Sequence, residues 1–596
     1  MFLATTALSE FWNDQEEILF LGSWCLRYDR RSTWSRLRYQ ILPNPWDDRD
    51  RFHRAAAYLD ACGERILGLL TDYLNAAHRV KASPRYWRIL ISPWLVHHLH
   101  ILYDRYVQLQ AAFEQYGPLR SICLDPGYFR VPQDSNQHSD WVLDDPYNLQ
   151  LYSELLTQMG YTFPTRTLPD WEKPTKPNAT PWGGIRRQAF RHLQKTAVSL
   201  LKHRWKAALY ETTLSHSSVW KMAWQSGFRV LPLTLHAQWP SHFSRPVFDS
   251  RRTQLSCLPF QDEFERLFFR MLPQDFPSLY LEGYPAARED VLRRLPSEPS
   301  VLLSAIAWHV HEPFKWLAAE STLKGRRLVA LQHGGGYGVY RLVTPEQHEE
   351  RISDSYLVWG WANQNGGHLK NVPAPQLSVL PQRLRRGPSF QKRPILFVAT
   401  TNPLYFYKFS SMPQAGQMED YFEWQFRFFR SLSPSLRSRF LFRPHLHPYP
   451  HGLPERFSER FPDLRWDNGC TFHQSLRRSS LAVIDHPSTP FLETMAANWP
   501  TVLFWDPQRW EIRQEAEPYF DALRRAGILW DSPEKAAAHV TSLEQGTDSW
   551  WRSGVVQTAR RDFVEQHALT QGAWWKEWDR MLREEISLAE GRNSDD

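Results

Sequence analysis

Ile395-Leu-Phe-Val-Ala-Thr400 is a short apolar run closed by small polar residues, followed by a helical period from about Met418 to Leu432 and then by Phe440-Leu-Phe-Arg443. The pattern returns at Leu481-Ala-Val-Ile484 and at Thr501-Val-Leu-Phe504, each ending in polar or turn residues. Apolar runs without polar alternation suit strands covered on both faces, and the helical lengths between them suit crossover connections. The alternation predicts a parallel sheet with helices on both sides. Ligands of such sheets sit beyond the carboxyl ends of the strands, so the residues just after each run are the candidates for chemistry.

The amino-terminal half shows a looser version of the same alternation. Ile18-Leu-Phe-Leu-Gly22 reads as a strand, Ala55 to Arg79 as a helix, and Trp87-Arg-Ile-Leu-Ile91 as an apolar run leading into Ser92-Pro-Trp94. Leu95 to Tyr116 has helical spacing and opens after a proline. Prolines and a glycine pair from Tyr161 to Gly184 predict a surface connection, and Ile185 to Leu209 a basic helix. Apolar periods around Phe228 to Leu235 and Val301 to Val310 continue the α/β pattern up to Leu328-Val-Ala-Leu331. Trp361-Ala-Asn-Gln-Asn-Gly-Gly367 and the proline- and arginine-rich stretch after it interrupt regular structure. The expected division is therefore a first α/β domain over 1–360 with helical insertions, a hinge over 361–394, a second Rossmann-like domain over 395–545, and a helical segment over 546–596.

Composition limits the function classes. Lys and Arg total 71 against 64 Asp and Glu, a net charge of +7 on 596 residues. That surplus permits contact with anionic lipid or phosphorylated ligands and does not describe a nucleic-acid binder. The five cysteines are isolated and odd in number, which argues for a reducing compartment and against a zinc site. The amino terminus carries Asp14, Glu16 and Glu17 where a signal peptide would be basic then apolar, and no uncharged run is long enough to span a bilayer. A cytoplasmic protein is expected, touching the inner membrane face through basic and aromatic patches. The 28 tryptophans suit sugar stacking and interfacial anchoring as well as core packing.

Three segments after apolar runs carry the candidate chemistry. The first is Gln332-His333-Gly334-Gly335-Gly336-Tyr337-Gly338, in which glycines allow close backbone approach to a ligand and a neutral His333 can accept a proton from a hydroxyl. It is no named phosphate loop, since no Gly-Lys-Ser/Thr follows. The second is Arg443-Pro-His445-Leu-His447-Pro448, which places a guanidinium suited to phosphate and two imidazoles at a strand end. His445 and His447 also have the spacing of a metal pair, but no carboxylate cluster completes it, so no metal is expected. The third is Asp485-His-Pro-Ser488-Thr489-Pro490, where Ser488 or Thr489 can cap a helix whose free amides seat an anion, with Glu493 one turn in and able to accept ribose hydroxyls. Helix capping and simple structural roles explain the same residues without any ligand.

These segments resemble those of bacterial surface-polysaccharide and O-antigen transferases of the leptospiral type, which share a Thr-Thr-Ala-Leu-like opening and a His-Gly-Gly-Gly-Tyr-Gly patch. The likeness runs from Thr5-Thr6-Ala7-Leu8 through Trp24, Ser92-Pro93-Trp94 and His333 to Glu493. More distantly the chain is similar to teichoic-acid polymerases, capsule Kdo transferases and bacterial polysialyltransferases. The resemblance implies a GT-B-like fold, two Rossmann-like domains facing across a cleft, with the last helical segment around Trp574-Trp-Lys-Glu-Trp578 packing back on the first domain.

It further implies an inverting, metal-independent glycosyltransferase that moves a sugar from a nucleotide-activated donor, CMP-linked by family analogy, to a hydroxyl of a surface-glycan or lipid-linked acceptor. No bound cofactor beyond that co-substrate is implied. By analogy His333 is the base, and Gly334 and Gly335 are counted with the donor-binding residues. Arg443, His445, His447, Ser488, Thr489 and Glu493 are then assigned to the donor. The acidic base element of the polysialyltransferases has no counterpart at a comparable position, which leaves Glu10, Asp14 and Asp104 as alternative bases. A CDP-linked phosphoalcohol transferase and a non-catalytic carbohydrate-binding protein remain as alternative functions.

Overall fold

The computed structural model describes residues 1–169, 200–233, 235, 249–294, 299–363, 367–384, 393–446 and 449–592. A small parallel sheet at the amino terminus has β1 (Phe2–Ala4), β2 (Ile18–Phe20) and β3 (Tyr39–Ile41) in that order, and β4 (Cys123–Leu124) pairs with β5 (Thr165–Arg166). The first large sheet contains β6 (Ala207–Tyr210), β7 (Val230–Pro232), β8 (Val301–Ser304), β9 (Arg327–Leu331), β10 (Ser355–Val358) and β11 (Leu369–Asn371), in the order β11-β10-β9-β8-β6-β7. The second contains β12 (Ile395–Val398), β13 (Phe440–Arg443), β14 (Arg465–Trp466), β15 (Leu481–Ile484), β16 (Thr501–Phe504) and β17 (Leu529–Trp530), in the order β14-β13-β12-β15-β16-β17.

Every pairing within both large sheets is parallel. The second sheet has the doubly wound order 3-2-1-4-5-6, whose switch point lies between β12 and β15; in the first sheet the corresponding point lies between β6 and β8. The carboxyl-end loops of the two sheets meet, which makes this the expected GT-B-like architecture of two Rossmann-like units.

The apolar runs become strands because both faces of each sheet are covered. Phe397, Phe428, Phe429, Phe442, Phe457 and Phe504 form one aromatic core under the second sheet, with the Phe428 and Phe504 rings stacked at 4.8 Å. Each such ring buried contributes roughly 2 kcal/mol from removal of apolar area.

Local rules yield to burial in the helical layer. α1 (Arg49–His78) is capped by Asp48, whose side chain accepts from the Arg51 amide. α2 (Pro84–Tyr116) is capped by Ser83 and runs unbroken through Pro93, so the run at Trp87–Ile91 and the expected helix from Leu95 are one element. Proline removes one helical hydrogen bond and strains the preceding turn. Tyr86, Trp87, Ile89, Leu90, Ile91 and Trp94 are nevertheless all completely buried, and that packing outweighs the break.

Two further expectations change. The basic helix expected over Ile185 to Leu209 does not reach its end, since Ala207–Leu209 lie in β6; residues 170–199 are outside those described. Within the expected hinge over 361–394, Leu369–Asn371 adds an edge strand to the first sheet.

Ten tryptophans serve the core: Trp46, Trp87, Trp94, Trp308, Trp316, Trp359, Trp499, Trp505, Trp551 and Trp578 are all fully buried. The carboxyl-terminal helix Trp574–Arg592 lays Trp574, Trp578, Met581 and Ile586 against Leu209, Val301, Leu303 and Val329 of the first sheet. On that face the buried Glu585 pairs with Arg327 and Lys370, each at 2.8 Å, and accepts from Ser355 Oγ at 2.7 Å. No helix among the described residues is long and apolar enough to cross a membrane.

Candidate active site

β9 ends at Leu331, and the next residue fixes the loop that follows. Gln332 is completely buried; its Oε1 accepts from the Trp359 amide at 2.9 Å and from Trp361 Nε1 at 2.8 Å, while its Nε2 donates to the Gly334 carbonyl at 3.1 Å. The glycines then have separate reasons. Gly338 has φ 67°, in the left-handed region that favours glycine. Gly335 sits so close to the second domain that a Cβ would lie 2.5 Å from the Thr489 nitrogen. Its amide donates to Thr489 Oγ1 at 3.2 Å. The His333 loop is thus seated, through Gly335, on the start of the helix Thr489–Ala496.

His333 is mostly enclosed, with 18% of its side chain exposed. Its Nδ1 lies 3.4 Å from Oε1 of Glu349, and its Nε2 lies 3.1 Å from the Tyr337 hydroxyl. Glu349 comes from the helix Thr344–Ile352 and is completely buried. Its Oε1 accepts from His309 Nε2 at 2.8 Å and from Tyr337 at 3.2 Å, and its Oε2 from Tyr356 at 2.8 Å.

Burial lowers the His333 imidazole below its ordinary value; Glu349 pulls the other way, and His309 and Lys408 add to the lowering. Burial also pushes Glu349 up to about 8, against His333, Tyr356 and Tyr337. The outcome is a neutral histidine, the form that accepts a proton, with a buried carboxyl group 3.4 Å from its Nδ1.

The donor-side residues are distributed less evenly than their spacing suggests. Ser488 is the residue before the helix Thr489–Ala496, but its side chain makes no capping hydrogen bond; Thr489 instead accepts from Gly335. Both follow β15 at the switch point of the second sheet. Glu493 Oε2 faces His473 Nε2 at 3.1 Å. Asp485 and His486 form a buried pair at 2.8 Å, with the other Asp485 oxygen accepting from Tyr421 at 2.8 Å and Gln425 at 2.5 Å.

Arg443 has partners within the second domain. Its Nη1 bonds Asp467 Oδ2 at 2.7 Å, the Cys470 carbonyl at 3.0 Å and Ser475 Oγ at 3.3 Å, so it ties the 467–475 loop to the end of β13. A buried guanidinium left without its carboxylate would be costly, which is why the nearest acid takes it. His445 is exposed, and His447 lies outside the described residues. Among the described residues no group of three or more His, Cys, Asp or Glu side chains is placed to hold a metal ion.

The alternative amino-terminal acids have other settings. Glu10 and Asp14 are exposed, and the buried Asp104 accepts from Trp46 Nε1 at 2.6 Å and Gln108 Nε2 at 2.8 Å beside Arg105.

Several site residues were not apparent in the sequence. Glu349 is hidden in the charged run Glu346-Gln-His-Glu-Glu-Arg351, which looks like a solvated helix face. Lys408 lies in the loop after β12, which crosses to the first domain: the Tyr407 hydroxyl lies 3.2 Å from His97 Nδ1, the Phe409 amide donates to His100 Nδ1 at 3.2 Å, and the Phe409 carbonyl accepts from Thr344 Oγ1 at 2.9 Å. A second bridge joins the end of the glycine loop to residues 511–513. Tyr340 pairs with Ile512, and Arg513 Nη2 reaches the buried Glu346 at 2.6 Å. The only sequence signal for this bridge is the continuation of the apolar pattern past Gly338 to Val339-Tyr340.

Comparison with known proteins places the chain at family level. The model of the LIC12162 family transferase matches residues 1–582. No curated protein matches the chain. Solved structures with some likeness include an α,α-trehalose 6-phosphate synthase from Burkholderia multivorans, at 11% identity over 65% of this chain and 98% of that one, TM-score 0.35. Others are HepE of Anabaena in complex with UDP and glucose, at 11% identity over 64% and 99%, TM-score 0.34, and the wall teichoic acid polymerase TagF, at 10% over 69% and 99%, TM-score 0.29. The family match extends from the small amino-terminal sheet through both large sheets and into the terminal helix, and on it this chain belongs to the LIC12162 family of transferases.

Proposed function

We propose that the chain is an inverting, metal-independent glycosyltransferase with His333 as its base, moving a sugar from a nucleotide-activated donor to a hydroxyl of a surface-glycan or lipid-linked acceptor. The observation that supports this reading is the contact of Gly335, two residues after His333, with Thr489 at the switch point of the opposite sheet. A base and an anion seat on facing loops serve a displacement at the carbon between an attacking hydroxyl and a leaving phosphate.

In the proposed step the acceptor hydroxyl gives its proton to the His333 imidazole. The oxygen bonds to the anomeric carbon as the carbon–oxygen bond to the phosphate breaks, and that electron pair leaves with the nucleotide. Glu349 stabilises the imidazolium through Nδ1. The start of the helix Thr489–Ala496, with Ser488 and Thr489, takes the leaving phosphate, Arg443, His445 and His447 share in holding the nucleotide by the family analogy, and Glu493 orients the ribose. Gly334 and Gly335 let the loop close over the donor. A CMP-linked sugar is the proposed donor, and work at the cytoplasmic face of the inner membrane suits a lipid-linked acceptor.

Thermal unfolding of the purified protein with CMP, CDP, UDP and GDP tests the reading. Stabilisation by one of them, kept in His333→Ala while transfer is lost, is the expected result. Absence of stabilisation by all four would overturn it.

A further inference from the structure

Between α1, α2 and the helix Thr344–Ile352 lies a cavity with about 60 Å³ of room for the centres of water-sized groups. One buried water needs roughly 15 Å³ by this measure, so about four heavy atoms fit, as many as two adjacent ring carbons of a sugar with their hydroxyls. Four of the lining residues are histidines, His97, His100, His309 and His348. The His309 ring centroid lies 5.1 Å from that of His348 and 6.4 Å from that of His333. The cavity is therefore one side chain away from the candidate base.

Its wall carries no uncompensated charge. Asp60 pairs with Arg351 at 2.8 Å and Glu64 with Arg88 at 2.5 Å, and among the described residues no other acid, lysine or arginine lines the space. Burial holds His100 and His309 at about 3, and His97 and His348 well below the ordinary histidine range, so all four rings are neutral at physiological pH. An ion entering here would lose its water and gain no opposite charge.

A neutral imidazole instead offers a donor on one nitrogen and an acceptor on the other. His100 Nδ1 accepts from the Phe409 amide at 3.2 Å, so its proton is on Nε2, which has no acceptor among the described residues. His309 gives its Nε2 proton to Glu349 at 2.8 Å, which leaves Nδ1 as an acceptor. The side chain of His348 is almost wholly buried, and its Nε2 has no hydrogen-bond partner among the described residues. Leu59, Leu67 and Pro93 add carbon surface to the same space. Hydroxyls both donate and accept, and the carbon edges between them pack on apolar side chains; paired acids and neutral histidines suit that ligand.

We propose that this cavity binds a neutral sugar residue of the acceptor, whose hydroxyls pair with His100, His309 and His348, and that it disfavours a charged one. The word acceptor rests on the glycosyltransferase reading; the saccharide site itself does not.

The probes are the neutral methyl glycosides of glucose, galactose, mannose and N-acetylglucosamine, with glucuronate and glucose 6-phosphate as charged counterparts. Their affinities for the full chain are measured by saturation-transfer NMR titration, alone and with CMP, CDP, UDP and GDP together, in the wild type, Gly63→Leu and His348→Phe. Gly63 faces the cavity from α1, and a Cβ there meets only Leu99 at 3.5 Å, so the leucine fills the cavity without disturbing the helix. The expected result is that at least one neutral glycoside binds, that nucleotide does not displace it, and that both variants weaken it by about tenfold or more while their thermal unfolding stays cooperative. No binding by any neutral glycoside, or unchanged affinity in both variants, would overturn the site. Equal or tighter binding of the charged sugars would overturn its preference for a neutral residue, and displacement by nucleotide would move the glycoside to the donor side. Glycoside binding in a protein that no nucleotide stabilises would count against the glycosyltransferase reading alone.

Discussion

His333 Nδ1 stands 3.4 Å from Oε1 of Glu349, a carboxyl group with no exposure to solvent, and the same oxygen takes a hydrogen bond from His309 Nε2 at 2.8 Å. The strand-end histidine therefore lies beside a buried acid brought in by another helix. Replacing His333 by Ala is expected to lower turnover by about 10²–10⁴-fold, the usual contribution of a general base, with nucleotide affinity within about twofold. Steady-state kinetics beside nucleotide calorimetry checks this; equal losses in both would remove His333 from the chemistry.

Glu349 also predicts a pH signature. Burial pushes it up to about 8, above the ordinary range of a free glutamate. A raised value means that the stability linked to this proton is full below the unfolded value and is lost as pH rises through the folded one. Between pH 5 and 8 the wild type should lose up to roughly 4 kcal/mol relative to Glu349→Gln. Urea unfolding of both proteins across that range measures the difference, and parallel curves would refute the buried-acid assignment.

Gly335→Ala is expected to push the two domains apart at their closest loop contact. A methyl group 2.5 Å from the Thr489 nitrogen must displace backbone, not a flexible side-chain end, at a cost of about 1–3 kcal/mol. Lower thermal stability together with reduced transfer is expected. A variant with wild-type melting and activity would show that the contact opens freely.

Arg443→Ala should act through the fold. With Asp467 and the Cys470 carbonyl left unpaired, the 467–475 loop loses its anchor, and a loss of roughly 3 kcal/mol is expected from breaking a buried pair. Chemical denaturation gives the number. Weakened nucleotide binding at unchanged stability would return Arg443 to the donor site that its place after β13 first implied.

Part of this protein was legible from local pattern. β9, β12, β13, β15 and β16 announce themselves as apolar runs, because a strand buried on both faces has nothing but its own composition to satisfy, and the helix Met418–Arg430 follows from its spacing. The strand-end position of His333 and the switch-point position of Ser488 and Thr489 follow from those runs. Pro93 was read as a boundary because proline opposes the helix locally, while the full burial of its neighbours keeps α2 whole.

The roles of the charged residues were decided elsewhere. Arg443 looked free until Asp467 met it, Glu349 looked solvated inside a charged run, and Lys408 had no visible tie to His97 and His100 before the loop after β12 crossed between domains. Apolar periodicity is a property of neighbours along the chain and survives in the sequence. The partner of a buried charge is set by what folding brings within a few ångströms, and only the tertiary structure holds that information.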